Sequence, residues 1–314
     1  MDIKKSISYF RSLIDEQGIV QFTKGYEKDY AYGYAIEDQS RALVLALELG
    51  DKELAEKFFK LISRSITDKG VLMLWDKTGK FKDKIDSEGE AVAEAVWGLG
   101  CVGANEETNK LWKYILTSPH PRTWPYGILG AVELGNTEIV TELGFKIVAA
   151  FRNNASADWK WLEKRMTYGN ALFPWSLIKA YDMTKIVVFK EVADELINFL
   201  LINLIYDGKP IMVGFDGWWK KGEKMVMFGQ QPIDVAYMVL ALLDYYKITG
   251  EEKYLEKAKF YFSWYDGNNI LNLPMIREDG ACMDGLWQNG VNPNAGAESN
   301  ICYLLAAVKI QNQL

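Results

Sequence analysis

Histidine and cysteine are scarce in this sequence of 314 residues, which contains one histidine and three cysteines. A nucleophilic triad would have to use His120, and a histidine-rich zinc site is excluded. His120 lies in a Ser-Pro-His-Pro stretch that is typical of a turn. The three cysteines, Cys101, Cys282 and Cys302, form no CxxC pair, which is typical of a reduced, cytoplasmic protein.

Basic clusters and long apolar runs are also lacking. Lys and Arg total 36 against 42 Asp and Glu, which gives a net charge of -6 with no basic block. We therefore expect neither a nucleic-acid partner nor a membrane surface as a partner. No apolar run approaches the roughly 20 residues that span a bilayer. Residues 1–16 have apolar side chains at helical spacing, unlike a signal peptide.

A recurring turn divides the chain into pairs of helices. At Gly50, Gly135 and Gly250 an apolar stretch ends in glycine, and acidic or polar residues open the next stretch. Helices 3–16 and 295–311 stand at the two ends and would complete a sixth pair. The five tight pairs are predicted at 38–50 with 52–66, 87–102 with 106–117, 122–134 with 136–153, 169–182 with 185–204, and 231–248 with 251–265.

Long connections alternate with the short turns, so they would all emerge at one end of an up-and-down array. The first helix of each pair is small and apolar, as in 91–97, whereas the second is amphipathic, as in 52–59. This difference indicates an inner and an outer layer. We predict an all-α fold, an (α/α)6 toroid that forms a single domain over residues 1–314. An open helical solenoid is the alternative.

Acidic residues open several of the predicted inner helices. Asp38 with Arg41, Glu90 and Glu298 lie in first turns, where helix capping and the helix dipole explain an acid as well as a functional role does. Asp234 lies in the first turn of an otherwise apolar helix. An acid is costly there unless it is hydrogen-bonded or functional, so Asp234 favours a functional site.

The segment 158–170, before the fourth inner helix, combines two Trp with Glu, Arg, Tyr and Asn. Aromatic rings beside acids and amides suit a sugar, whose C–H faces stack on rings and whose hydroxyls bind polar groups. The adjacent Gln230 and Gln231 favour the same interpretation. Pro232 after them fits the first turn of a helix.

Together these motifs resemble a family of six-hairpin glycosidase-like proteins, which are often encoded with or fused to glycosyltransferases. The resemblance spans nearly the whole chain, and it implies the toroid, sugar binding and an association with a glycosyltransferase. The chain departs from the family pattern at 37–40, where two acids and an Asn are expected, and near Glu90, where a His is expected. The matching segments are 38–43, 159–170 (Trp-x-Trp-x-Glu-x-Arg-x-Thr-Tyr-x-Asn), 230–234 (Gln-Gln-Pro-Ile-Asp), 284–286 and 290–299.

We therefore predict a carbohydrate-active enzyme, a glycoside hydrolase that acts on an oligosaccharide through two carboxylates at the long-loop rim. The catalytic candidates are Glu163 and Asp234, followed by Asp38. No cofactor or metal is expected, because the acids lack a calcium-loop spacing. The predicted substrate-binding residues are Trp124, Trp161 and Tyr168 for stacking, and Arg41, Glu90, Arg165, Asn170, Gln230, Gln231, Asp284, Asn294 and Glu298 for polar contacts.

Two alternatives remain open at this stage. A glycoside phosphorylase would bind phosphate through arginines such as Arg41, Arg165 and Arg277. A non-catalytic sugar-binding or scaffold protein would need no acids in the first turns of apolar helices. A lyase or epimerase would need a His or Tyr base, which the single histidine disfavours.

Overall fold

The computed structural model describes residues 3–82 and 84–313. Within these residues the chain forms twelve helices, each lying within a few residues of its predicted position. No helix there is long and apolar enough to cross a membrane. The helices are α1 (Lys4–Ser12), α2 (Ile36–Glu48), α3 (Lys52–Ser65), α4 (Glu90–Cys101), α5 (Asn105–Thr117), α6 (Thr123–Glu133), α7 (Thr137–Asn154), α8 (Leu172–Thr184), α9 (Val187–Asn203), α10 (Pro232–Thr249), α11 (Glu252–Phe262) and α12 (Ala297–Gln311).

The even-numbered helices form a closed inner ring. Each packs against the next in chain order, and α12 packs against α2 to complete the circle. The odd-numbered helices lie outside, with α3 on α2, α5 on α4 and so on, and α1 on α12. Because α12 contacts α2, the open solenoid is excluded, and the predicted (α/α)6 toroid is confirmed.

The short turns have the chemistry that the sequence indicates. Gly50, Gly135 and Gly250 have φ of 68°, 69° and 72°, a left-handed conformation in which only glycine avoids a steric penalty. Directly after the first two glycines, the side chains of Asp51 and Asn136 accept hydrogen bonds from backbone N–H groups in the first turns of α3 and α7. Each turn therefore ends one helix and begins the next within a few residues.

Aromatic side chains fill the inside of the ring. Trp97 of α4 contacts Tyr126 of α6, Trp175 of α8 and Tyr237 of α10, with ring centroids 5.8, 5.9 and 6.5 Å away. The hydroxyls of Tyr126 and Tyr237 lie 2.9 Å apart and hydrogen-bond to each other. All four side chains are buried, so they fill the middle of the ring, and the two tyrosine hydroxyls satisfy each other there.

The short-turn end of the ring carries ion pairs between neighbouring inner helices. Lys179 lies 3.1 Å from Glu133 and 4.0 Å from Asp244, and the indole of Trp175 donates to the same Asp244. A second ion pair joins the Nζ of Lys309 to the Oε1 of Glu48 at 2.6 Å. These pairs link neighbouring inner helices.

The long connections are not the plain loops that the sequence suggests, because they contain short antiparallel strands. Runs of two or three residues show no period-two pattern that a sequence could display. The paired strands are β1 (Ile14–Asp15) with β2 (Gly18–Ile19), β3 (Phe22–Lys24) with β4 (Glu27–Asp29), β5 (Tyr34–Ala35) with β8 (Leu74–Trp75), β7 (Gly70–Leu72) with β6 (Ile66–Thr67) and β9 (Ile85–Asp86), β10 (Arg165–Met166) with β13 (Trp219–Lys220), β11 (Ile205–Tyr206) with β12 (Lys209–Pro210), and β14 (Gly285–Trp287) with β15 (Gly290–Asn292).

Candidate active site

A cavity of about 750 Å³ opens at the long-loop end of the ring. Its walls come from the first turns of α2, α4 and α12 and from the connections that precede α8, α10 and α12. The predicted site residues that line it are Asp38, Arg41, Glu90, Tyr168, Gln230, Gln231, Asp284, Asn294 and Glu298.

Arg41 is the centre of the polar network in this cavity. Its Nη1 lies 3.4 Å from Asp38 and 3.2 Å from Glu298, and its Nη2 lies 2.7 Å from Glu94. Arg41 and Glu94 are almost fully buried. The Nε of Arg41 and the Oε2 of Glu94 find no hydrogen-bond partner among the described residues. Buried polar atoms left open in this way are typical of a site that a ligand completes.

Burial controls the protonation of the carboxyl groups around Arg41. Burial raises the pKa of Asp38 and of Glu94 well above the usual range, although the Arg41 charge opposes this shift. Burial also raises the pKa of Glu37, which lines the same cavity. A buried carboxyl with a raised pKa can hold a proton near neutral pH and deliver it in a reaction.

Two other acids of the cavity stabilise the starts of inner helices. Asp86 accepts hydrogen bonds from the N–H groups of Gly89 (2.7 Å) and Val92 (3.0 Å) at the beginning of α4. Asp284 accepts from the Gly296 N–H and the Ser299 hydroxyl, both at 2.7 Å, at the beginning of α12. Because Oδ1 of Asp284 accepts both of these bonds, Asp284 helps position α12 beside the cavity.

Tyr168 connects the cavity to the segment before α8. Its hydroxyl donates to Glu90 at 2.5 Å. Arg122 donates to the Tyr168 carbonyl, and its guanidinium lies 4.9 Å from the centre of the Tyr168 ring. Glu163 in turn lies 3.4 Å from Arg122. Arg122, paired with Glu163, therefore holds Tyr168 in position, and both residues lie outside the cavity lining.

Two of the three catalytic candidates, Glu163 and Asp234, lie outside the lining of the cavity. Burial raises the pKa of Glu163, while Arg122 lowers it. Burial raises the pKa of Asp234 to about 7, and its Oδ1 accepts a 2.6 Å bond from the Gly169 N–H. Glu163 thus contacts Arg122, which binds Tyr168, and Asp234 binds the backbone of Gly169, the residue after Tyr168. Their catalytic role remains a prediction, and Asp38 is the one catalytic candidate within the cavity.

Four predicted substrate-binding residues also lie away from the cavity. Trp161 is fully buried and packs edge-on against Phe173, so it cannot reach a ligand in this structure. Trp124 packs against the core, and Asn170 is buried and donates to the Thr167 carbonyl. Arg165 is exposed on β10. A sequence cannot show on which side of a connection each polar or aromatic side chain lies.

The side chain of Gln231 lines the cavity and has no hydrogen-bond partner among the described residues, so its whole amide is free to bind a ligand. Gln230 is fully buried, and its amide bonds the Met212 N–H, the Trp264 indole and the Met227 carbonyl. The Oδ1 of Asn294 accepts a hydrogen bond from the N–H of Gly25 at 2.9 Å.

Several cavity residues escaped the sequence prediction. Glu94 lies one turn after Glu90, a spacing that places both on one face of α4 and could have indicated it. The Trp218-Trp219 pair in a long connection was a second available signal. The missed acidic and aromatic residues of the lining are Phe22, Glu37, Asp86, Glu94, Phe215, Trp218 and Trp287.

Among the described residues, no group of three or more His, Cys, Asp or Glu is placed to hold a metal ion.

No protein-family model matches the sequence, and no curated protein matches it. Solved structures do. Cellobiose 2-epimerase from Bacillus thermoamylovorans B4167 superposes with a TM-score of 0.74 at 13% identity, covering 98% of this chain and 97% of that one. A sugar epimerase from a ruminal bacterium superposes with a TM-score of 0.71 at 16% identity, covering 96% of this chain and 95% of that one. An unsaturated glucuronyl hydrolase specific for heparin superposes with a TM-score of 0.62 at 11% identity, covering 99% of this chain and 96% of that one. These structures are six-hairpin glycosidase-like (α/α)6 toroids, so the resemblance found in the sequence is confirmed for the fold.

Proposed function

We propose that this protein is a carbohydrate-active enzyme that hydrolyses a glycosidic bond of a neutral sugar. The observation that carries the proposal is the pair of carboxyls on Nη1 of Arg41. The side chain of Asp38 is 4% exposed, whereas that of Glu298 is 39% exposed. The Asp38 carboxyl is thus shielded from solvent and suited to hold a proton, whereas the Glu298 carboxyl is in contact with water. Two carboxyls in such different environments are the requirement of glycoside hydrolysis.

In this mechanism Asp38 gives its proton to the oxygen of the leaving sugar while the glycosidic C–O bond breaks. Glu298 accepts a proton from water as the water oxygen bonds to the sugar carbon. The net change is the addition of one water molecule; Glu298 then releases its proton to solvent, and Asp38 takes a proton up from solvent, which restores both groups. Because burial raises the pKa of Asp38, we expect activity to fall with rising pH only well above the pKa of an exposed Asp.

The charge of the cavity supports a neutral substrate and hydrolysis by water. Seven acidic side chains and one arginine line it, and the arginine contacts three of the acids. A phosphate or a uronic acid would therefore meet repulsion without a free cation to bind it. Arg165 and Arg277, which a phosphorylase could use, lie outside the lining. Arg277 forms an ion pair with Asp279 instead.

The names of the structural neighbours support the carbohydrate class, since two are epimerases acting on sugars and one is a glucuronyl hydrolase. An epimerase needs a base that removes a proton from carbon. His120 is exposed and lies outside the cavity lining, and burial raises the pKa of Tyr168, which makes its hydroxyl a poor base. For this reason we favour hydrolysis over epimerisation for this chain.

The test is a cleavage screen of neutral gluco-, manno- and galacto-oligosaccharides of both anomeric types and of uronate-containing oligosaccharides, each with and without phosphate. Wild type is compared with Asp38→Asn, Glu298→Gln and the control Glu163→Gln. We expect cleavage of a neutral substrate that does not depend on phosphate and is lost in the first two variants only. Loss in Glu163→Gln alone would move the catalytic role to that residue. Thermal stabilisation by sugar without any turnover would favour a non-catalytic binding protein.

A further inference from the structure

Four aromatic rings form a continuous series along one wall of the cavity. The ring centroids of Tyr168 and Trp218 lie 5.9 Å apart, those of Trp218 and Phe215 6.0 Å, and those of Phe215 and Trp287 5.1 Å. All four residues line the cavity. We name this series the aromatic arc. It begins beside Glu90, which accepts the hydrogen bond from Tyr168, and it leads away to the strand β14 that carries Trp287.

The backbone of Trp218 is held in an unfavourable conformation. Its φ is 64°, in the left-handed region that a bulky side chain rarely adopts. Two hydrogen bonds maintain this turn, from the Trp218 N–H to the Gly214 carbonyl and from the Val226 N–H to the Trp218 carbonyl. Glycine would fit this position without strain. Retention of a strained, bulky residue in a cavity wall indicates that its side chain has a function there.

The next residue shows what a purely structural tryptophan looks like in this segment. Trp219 stacks on Phe199 of α9 at 5.5 Å with the rings nearly parallel. It also contacts Trp159 edge-on at 5.0 Å, and it lies opposite Met166 where β13 pairs with β10. Trp219 therefore joins this connection to the outer helix α9 and to the connection that precedes α8, whereas the ring contacts of Trp218 are with members of the aromatic arc.

We infer that the aromatic arc binds a second sugar unit, so that the ligand is a neutral glycoside of at least two units. This inference rests on the proposed function, in which the first unit lies at Asp38 and Glu298. The flat C–H faces of a pyranose stack on aromatic rings, and the side chain of Phe215 is 41% exposed, so it is available for such a contact. Trp218, in the middle of the arc, is the main platform.

The experiment measures binding in the Asp38→Asn background, in which we expect turnover to be slowed about 10³-fold. Calorimetric titrations use ladders of one to four units of neutral gluco-, manno- and galacto-oligosaccharides. Trp218→Gly removes the ring, and it also removes the steric cost of the positive φ, which glycine adopts without strain. We expect about a tenfold weaker Kd for ligands of two or more units, unchanged affinity for the single unit, and an unchanged or higher Tm.

Trp219→Ala is the matched control, since it removes the neighbouring indole. We expect a lower Tm and an unchanged Kd for every ligand in the ladder. The inference is overturned if Trp218→Gly leaves the dependence on chain length unchanged while wild type cleaves a neutral glycoside. If the ladder behaves as expected but wild type cleaves nothing, the inference holds and the proposed hydrolysis fails.

Discussion

The two ends of the helical ring treat charge in opposite ways. At the short-turn end, Lys179 is paired with Glu133 and Asp244, and Lys309 is paired with Glu48. At the open end, Arg41 is the single basic residue among the described residues that line the cavity, which include seven acids. The same inner helices supply both ends, so the fold itself does not require an excess of carboxyls.

This difference shows which charges serve the fold and which call for another explanation. Matched pairs that join neighbouring helices need no further role. Buried acids without enough cations destabilise the protein, and such a cost is typically retained where function requires it. The following predictions test this division of roles between the two ends.

Asp38→Asn should have the largest effect on activity. We expect kcat to fall about 10³-fold, because the amide cannot donate the proton to the leaving oxygen. The Tm at pH 7 should not fall, since a buried group with a raised pKa is removed. The matched change at the other end, Asp244→Asn, should leave kcat intact. Equal losses in both variants would contradict the division between the ends.

Arg41→Met should cause the largest loss of stability. Removal of the guanidinium leaves Glu94 buried without its ion-pair partner at 2.7 Å, which should cost about 3–5 kcal/mol of unfolding free energy at pH 7. At lower pH the Glu94 carboxyl becomes protonated, so part of the loss should be recovered. Urea unfolding at pH 5 and pH 7.5 measures this. A loss that does not change with pH would mean that lost packing is responsible.

Asp234→Asn should change the pH dependence of stability. The folded-state pKa of Asp234 is about 7 against 3.8 for an ordinary Asp, so its contribution is fully present at low pH and is lost as pH rises from about 4 to 7. The amide can still accept from the Gly169 N–H. Relative to wild type, the variant should gain up to about 4 kcal/mol between pH 4 and pH 8. Parallel stability curves would show that Asp234 does not titrate in this way.

Lys179→Met should have the smallest effect of the four changes. The side chain of Lys179 is 22% exposed, so water can still reach the carboxylates of Glu133 and Asp244. We expect a loss of about 1–2 kcal/mol in unfolding free energy and an unchanged kcat, because the cavity is at the other end. Thermal unfolding and steady-state kinetics test both. A large fall in kcat would mean that the two ends are coupled.

The fold could be predicted because its signals are local. Glycine turns such as Gly50 and the contrast between apolar and amphipathic helices are visible in short windows of sequence. The site could be predicted only in part. Asp38 and Glu298 follow from helix starts, but the positions of Trp161 and Trp218 depend on how an irregular connection turns. The density of aromatic residues shows where a wall lies, not which ring faces the cavity.

Arg41 belongs to α2 and Glu298 to α12, so the order of synthesis has a consequence for the site. The segment before α2 is joined to the same late region, since the Gly25 N–H donates to Asn294 and the Ala297 N–H donates to the Gln21 carbonyl. Until the ribosome has made α12, Arg41 lacks one of its carboxylates and the cavity lacks one wall. A nascent chain that ends before α12 would thus carry most of the ring without a complete cavity, and the proposed activity would require α12.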